Sequence, residues 1–395
     1  MEYWPQVKIG DVCIVERGGS PRPIDKYITD SEDGINWIKI GDTDDSMYIT
    51  STAQKIIPEG AKKSRYVQPG DFLLSNSMSF GRPYILKIDG CIHDGWLVLR
   101  DKNGLFDKRF LYYYLSAPVT YQKFKSLAVG GVVNNLNSEM VRNVEVPLPA
   151  LNEQAQIATV LDKLSGLISL RKQQLSKLDE LVKARFVEMF GDLADPYCKF
   201  KKCTLAETCL DADDIKCGPF GTQLSKDEYQ NEGIAVWEIP QINNGFTSKP
   251  THFLTIEKAE QLKAYSIEPG DIAMSRKGNV GKCGVFPDYY EPGIIHSDVL
   301  RIRVDSKRVI PCFMMYQLHF SRAVQYQIET VSSGAIMAGI NVTKLKQIEV
   351  YVPEYELQQR FSGFVGKVDR QKLTIQQSLD KLEVLRKSLM QEYFG

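Results

Sequence analysis

Two histidines stand beside a carboxylate: His93 directly precedes Asp94, and His296 lies two positions before Asp298. Such a pair can act as general acid and base, or it can supply a hydrogen bond at the entrance of a strand. The second reading is the simpler one, because both pairs occupy equivalent places just before an apolar strand. The other two histidines, His252 and His319, have no counterparts, so a multi-histidine metal site is not expected. Other chemical signatures fail on inspection. Gly281-Lys282 is followed by Cys283 and has Arg276 where a phosphate-binding loop needs its first glycine. Asp42-Thr43-Asp44-Asp45 opens like a calcium loop, but Met47 replaces the turn glycine and Ala53 the bidentate glutamate. Gly81-Arg82-Pro83-Tyr84 lacks the amide and the second proline of an adenine methyltransferase motif. Catalysis is therefore expected elsewhere than in this chain.

What remains must be held by the fold. The chain has 395 residues, enough for two to four units at roughly 100–200 residues each. Lys plus Arg and Asp plus Glu both count 49, so the formal charge is zero. That excludes a binder that grips phosphate with its whole surface but permits one whose basic residues gather locally. No apolar run approaches the ~20 residues that span a bilayer, and the first residues do not form a signal peptide. Eight cysteines without a C-x-x-C pair read as buried thiols in a reducing compartment. A soluble cytoplasmic protein is expected.

The elements come in two copies. LSKLDELVKARFVEMFG at 175–191 matches LDKLEVLRKSLMQEYFG at 379–395, an offset of 204, which also aligns Asn137 with Asn341, Pro149 with Pro353 and Gln154 with Gln358. Upstream the offset drifts: VQPGDFLLS at 67–75 matches IEPGDIAMS at 267–275, and His93 matches His296. Each copy begins with short apolar runs bounded by Gly, Pro, Asn and Asp, which are strand signals, and has a helix signal at 108–118 or 311–321.

Each copy ends in a long helix after Pro149 or Pro353. Its apolar positions alternate in steps of four and three, the seam of a coiled coil: Ile157, Leu161, Leu164, Ile168, Leu175, Leu178 and Val182 in the first, and Phe361, Val365, Val368, Ile375, Leu379 and Leu382 in the second. The matching seams predict that the two helices pair, antiparallel, as a spacer; residues 157 to 189 would span roughly 50 Å. The segments read as a first domain over 1–150, a spacer helix over 151–196, a second domain over 197–354 and a second helix over 355–395. The fold class is α+β, with two β-rich mixed domains and two long antiparallel coiled-coil helices. The interiors of the β-rich domains barely repeat: ERGGSPRPIDKY stands against KCGPFGTQLSKDEY, and LLSNSMSFGRPY against AMSRKGNVGKCG.

This ordered set resembles the specificity subunit of type I restriction-modification systems over the whole length. The repeat, the VPLPALNEQAQIATVL junction at 146–161 with its weaker copy at 350–365, the GGSP and GPFGT loops and the two PGD turns carry the resemblance. It implies a non-catalytic scaffold whose two target recognition domains each read half of a split site on double-stranded DNA. It further implies two methyltransferase and two restriction subunits as partners, with S-adenosylmethionine, ATP and Mg bound by them and no cofactor here. DNA contacts are then expected from the divergent loops, where basic and amide side chains suit phosphates and base edges. The candidates are Ser20, Arg22, Lys26, Ser75, Asn76, Ser77, Arg82, Asn134 and Asn135 in the first copy, and Thr222, Gln223, Lys226, Arg276, Lys277 and Lys282 in the second. Two other readings are a self-contained DNA methyltransferase or nuclease, against which the missing motifs count, and a coiled-coil adaptor with peptide-binding heads.

Overall fold

A computed structural model describes residues 4–76, 81–128, 135–191, 198–332 and 339–395. The chain divides into two compact units, Met1–Lys172 with Gln377–Gly395, and Gln173–Gln376. Compactness thus cuts the chain differently from the four segments read in the sequence. Each unit consists of a β-rich head together with one end of each long helix, because those helix ends bury their apolar residues against the head.

In the first unit one sheet runs Cys13–Arg17, Trp96–Asp101, Phe72–Ser75, Pro83–Leu86 and Tyr48–Ile49 in spatial order. A second runs Ile28–Thr29, Gln54–Ile56, Ile35–Ile38, Gly90–Ile92 and Arg65–Val67. The second unit repeats four strands of each: Ile215–Cys217, Val299–Ile302, Ile272–Ser275 and Cys283–Val285, then His252–Leu254, Ile234–Trp237, Gly293–Ile295 and Ser266–Ile267. Even the one parallel step in the second sheet recurs, Trp37 beside Cys91 and Trp237 beside Ile295. Hydrophobic-in alternation is replaced here by strands buried along their length, as with Phe72–Ser75 and Ile272–Ser275, because helices cover one face of the first sheet and the second sheet packs on the other. Those helices are Lys108–Ser116 and Pro118–Ala128 in the first unit and Pro311–Phe320 and Arg322–Ser332 in the second.

The long helices run Leu151–Phe190 and Tyr355–Phe394, each about 60 Å at 1.5 Å per residue. Within the first unit Ile157, Leu161, Leu164, Ile168 and Leu379 are buried and Leu382 half-buried. Within the second, Val182, Phe361, Val365 and Val368 are buried, with Leu175, Leu178 and Ile375 half-buried. The pairing is antiparallel: Asp179 meets Lys372 at 2.6 Å, while Phe186, further along, meets Phe361 at 5.5 Å between ring centroids. Lys372 occupies a seam position, and the Asp179 carboxylate supplies the partner that keeps it there. Among the described residues no helix is long and apolar enough to cross a membrane, and all eight cysteines are free.

Each helix is fastened to its head by one buried glutamine. Gln154 Nε2 donates to the carbonyls of Leu105 and Pro149, and its Oε1 accepts from Asp107 N–H. Gln358 donates to the carbonyls of Arg308 and Pro353 and accepts from Ile310 N–H. Both are fully buried, so removing the amide strands backbone groups away from water. Gln358→Met is expected to cost the second unit about 2–4 kcal/mol, read as a lower midpoint in denaturant; an unchanged midpoint would show that water replaces the amide.

Candidate nucleic-acid interface

The same loop frame closes one end of both heads. The hairpin Phe72–Ser75/Pro83–Leu86 is pinned where Ser75 N–H donates to Arg82 O and Gly81 N–H to Ser75 O; in the second head Ser275 and Lys282, then Gly281 and Ser275, repeat both bonds. The next residue ties three loops together. Asn76 N–H donates to Gly95 O while Leu136 N–H donates to Asn76 O, and Arg276 does the same between Asp298 O and Ile340 N–H. Gly18 and Gly218 pass so close to the histidine loop that a Cβ would stand 2.2 Å from His93 O and 2.3 Å from His296 O. No larger residue fits, which fixes the GGSP and GPFGT loops against the tips. The two histidines are part of this frame: Gly95 N–H donates to His93 Nδ1 at 2.9 Å and Asp298 N–H to His296 Nδ1 at 3.2 Å. An Nδ1 that accepts is unprotonated, and burial holds the His93 pKa below its ordinary value.

On this shared frame the tips differ. In the first head Ser20 and Arg22 converge on Asp94: the hydroxyl donates to Oδ1 at 2.6 Å and the guanidinium lies 3.5 Å from Oδ2. Arg82 lies apart, beside Asp45 at 3.2 Å and over the Tyr84 ring at 5.5 Å. Lys26 is exposed on the short turn Ile24–Lys26, and Asn135 is exposed beside the tip frame. Ser77 and Asn134 lie outside the described residues. Two expectations are corrected. Ser75 and Asn76 are 1% exposed, and their side chains serve the frame, Ser75 Oγ accepting from Arg82 N–H and Asn76 Nδ2 donating to Asp94 O. They cannot touch an outside ligand because the strand end they occupy is covered by the histidine loop.

In the second head Lys277 Nζ stands 2.8 Å from Asp298. The Arg276 guanidinium is stacked over the Phe220 ring at 4.8 Å, and its Nε donates to Ile340 O at 3.1 Å. It also lies against the Cys217 thiol, whose pKa burial raises and this cation lowers. Gln223 is exposed but partly used, accepting from Phe220 N–H and the Tyr265 hydroxyl. Thr222, Lys226 and Lys282 are exposed, and none of the three joins the Asp298 cluster. Sequence reasoning missed Phe220, which is 49% exposed, and the placing of Asp94 and Asp298 at the tips. The histidine–acid pairs were visible in the sequence; that the acids face the loop cations was not. Among the described residues no group of His, Cys, Asp and Glu could hold a metal ion. The tips thus offer cations, amides and one aromatic platform, a set suited to polyanions and base edges.

The profile of the type I restriction modification DNA specificity domain matches residues 1–180 and 215–384. The chain belongs to that family. The MjaVIII specificity subunit of a type I restriction enzyme from Methanocaldococcus jannaschii is 22% identical, over 98% of this chain and 91% of that protein. The EcoKI specificity subunit of Escherichia coli K12 is 21% identical over 75% of this chain and 67% of its own length. The crystal structure of the type I restriction-modification S subunit from M. genitalium superposes with a TM-score of 0.59 at 16% identity, covering all of this chain and 96% of that one. A structure from a study of type I restriction-modification complex assembly gives a TM-score of 0.60 at 18% identity, covering 100% and 98%. The fold is shared.

Proposed function

We propose that the chain is the non-catalytic subunit through which a type I restriction-modification assembly reads DNA, each head taking one half of an asymmetric, two-part double-stranded site. The observation that carries this reading is one loop frame bearing two different sets of tip residues. Equal frames present their tips alike, and unlike tips select unlike bases. Membership of the specificity family and the names of its relatives support it. In this assembly two methyltransferase and two restriction subunits dock on the chain, and S-adenosylmethionine, ATP and Mg are theirs. A genome-wide map of N6-methyladenine, with and without the gene, is expected to lose one asymmetric split motif. Persistence of every motif in a host whose methyltransferase is active would sink the proposal.

In the same reading the helices set the unread spacer. Four residues inserted after Ser169 add about 6 Å of helix and slightly more than one turn. The expected result is a changed spacer between half-sites or lost binding; an unaltered motif would relieve the helices of that role. A peptide-binding adaptor, the competing reading, predicts no salt-dependent affinity for DNA, whereas phosphate contacts must release counterions.

A further inference from the structure

The tips carry carboxylates where a surface for a polyanion would be served by cations alone. In the first head Asp94 faces Arg22 at 3.5 Å and accepts from Ser20 at 2.6 Å, with His93 Nε2 at 3.7 Å and Arg17 Nε donating to its carbonyl. In the second Asp298 faces Lys277 at 2.8 Å, with His296 Nδ1 at 3.9 Å. The acid stands one position after the histidine in the first head and two after it in the second. The heads therefore reach the same pairing with different residues, as two unrelated loops meeting one requirement would. Arg82 is likewise met by Asp45 at 3.2 Å.

Stability does not explain these pairs. Arg22 is 82% exposed and Lys277 44%, and ion pairs open to water contribute little to folding. Their position explains more. A duplex gripped anywhere along its backbone brings phosphates beside the carboxylate, which repels them, and gains the cation only by breaking the pair. A duplex with suitable bases offsets both losses. Guanine offers two acceptors to Arg or Lys, and cytosine offers an amino donor to Asp.

We propose that Asp94 and Asp298 are specificity-determining residues, which hold the tip cations off the phosphate backbone and so weaken binding to non-cognate duplex more than to the cognate site. The proposal rests on the DNA-reading function argued above. The Ser20 hydroxyl keeps the Asp94 carboxyl below the usual carboxylate range, so the charge persists at ordinary pH.

The test uses the chain assembled with its methyltransferase subunit, a random-sequence duplex, and a duplex carrying the motif mapped in the host. Both affinities are measured between about 50 and 300 mM salt, the range over which phosphate contacts change affinity most. Asp298→Asn keeps the side chain's shape and removes its charge. Affinity for the random duplex is expected to rise about fivefold. Its salt dependence should steepen by about one released counterion. The cognate affinity should rise less than the random-duplex affinity, so that the ratio of the two falls, since suitable bases already offset the broken pair there. Adding Lys277→Gln should cancel the gain, and Asp94→Asn with Arg22→Gln should repeat the pattern in the first head. Unchanged random-duplex affinity and slope in both asparagine variants would overturn the proposal. So would an equal loss of both affinities with a lower melting temperature, which marks a structural role. A wild-type assembly with no preference for any mapped motif would overturn the DNA-reading function itself, a separate failure.

Discussion

Replacing Phe394 by alanine is expected to loosen the first unit by about 3–5 kcal/mol, although the other buried residues of the cluster it joins lie between Ile9 and Leu161. Phe394 is 7% exposed, and its ring meets Phe110 at 5.5 Å and Tyr114 at 5.7 Å, both edge to face. It shares a core with Ile157, Ala158 and Leu161 of the first long helix, and with Leu111 and Leu115 of the helix on the sheet. Truncation removes the apolar transfer term, the aromatic pairing and the filling of the space beside Phe110 and Tyr114. Hydrogen exchange should show protection lost over Lys108–Ala128 while the second unit keeps its own. Phe190→Ala is the matching experiment in the second unit, where the equivalent ring touches Phe200, Phe313 and Phe361. Retained protection over Lys108–Ala128 in Phe394→Ala would mean that the ring only covers the core rather than filling it.

The second large effect is functional. Arg276→Ala is expected to relax one half of the recognition sequence, with discrimination at one base position falling by about one to two orders of magnitude, the value of a lost arginine–base contact. The guanidinium is pre-positioned on Phe220 and Ile340 O, so little ordering is lost when it binds, and its removal should be felt in selectivity more than in assembly. Methylation of a site library varied separately in each half reads the effect. The half assigned to the second head should become degenerate at one position and the other half should not change. Equal loss in both halves would mean that the variant damages assembly, and no loss in either would remove Arg276 from the interface.

The parts of this fold written as periodic or local signals could be read in advance. The alternating steps of four and three from Ile157 to Val182 gave the long helices, and Pro149 and Pro353 marked where each opens; Gln154 and Gln358 were visible as an aligned pair, but their fastening role was not. Chemistry at that junction is backbone satisfaction by a single amide, which tolerates little change and so leaves a sequence trace. The head interiors were not legible as a repeat, yet four strands of each sheet recur. A strand buried along its length asks only for apolar residues of about the right size, so Phe72–Ser75 and Ile272–Ser275 keep a fold with few identities. For the site, loop positions were legible and side-chain directions were not. Asn76 sits in a divergent stretch and Ser75 at its edge, but a residue at a strand end turns toward whatever loop covers it. Phe220 was passed over for the opposite reason: an apolar side chain in a loop carries no polar signature, and its use appears only once Arg276 is seen lying on it.

The first unit is completed by residues 377–395, whereas the second is one continuous stretch, 173–376. During synthesis at about 5–20 residues per second, the second unit therefore has all its parts while the first still lacks the helix end that fills its core. The first head must wait on the ribosome for roughly 10–40 s with the socket around Phe110 and Tyr114 open to water. Over that interval exposed apolar surface of this kind favours misassociation, and the unit whose sequence begins first is the last to have all its parts.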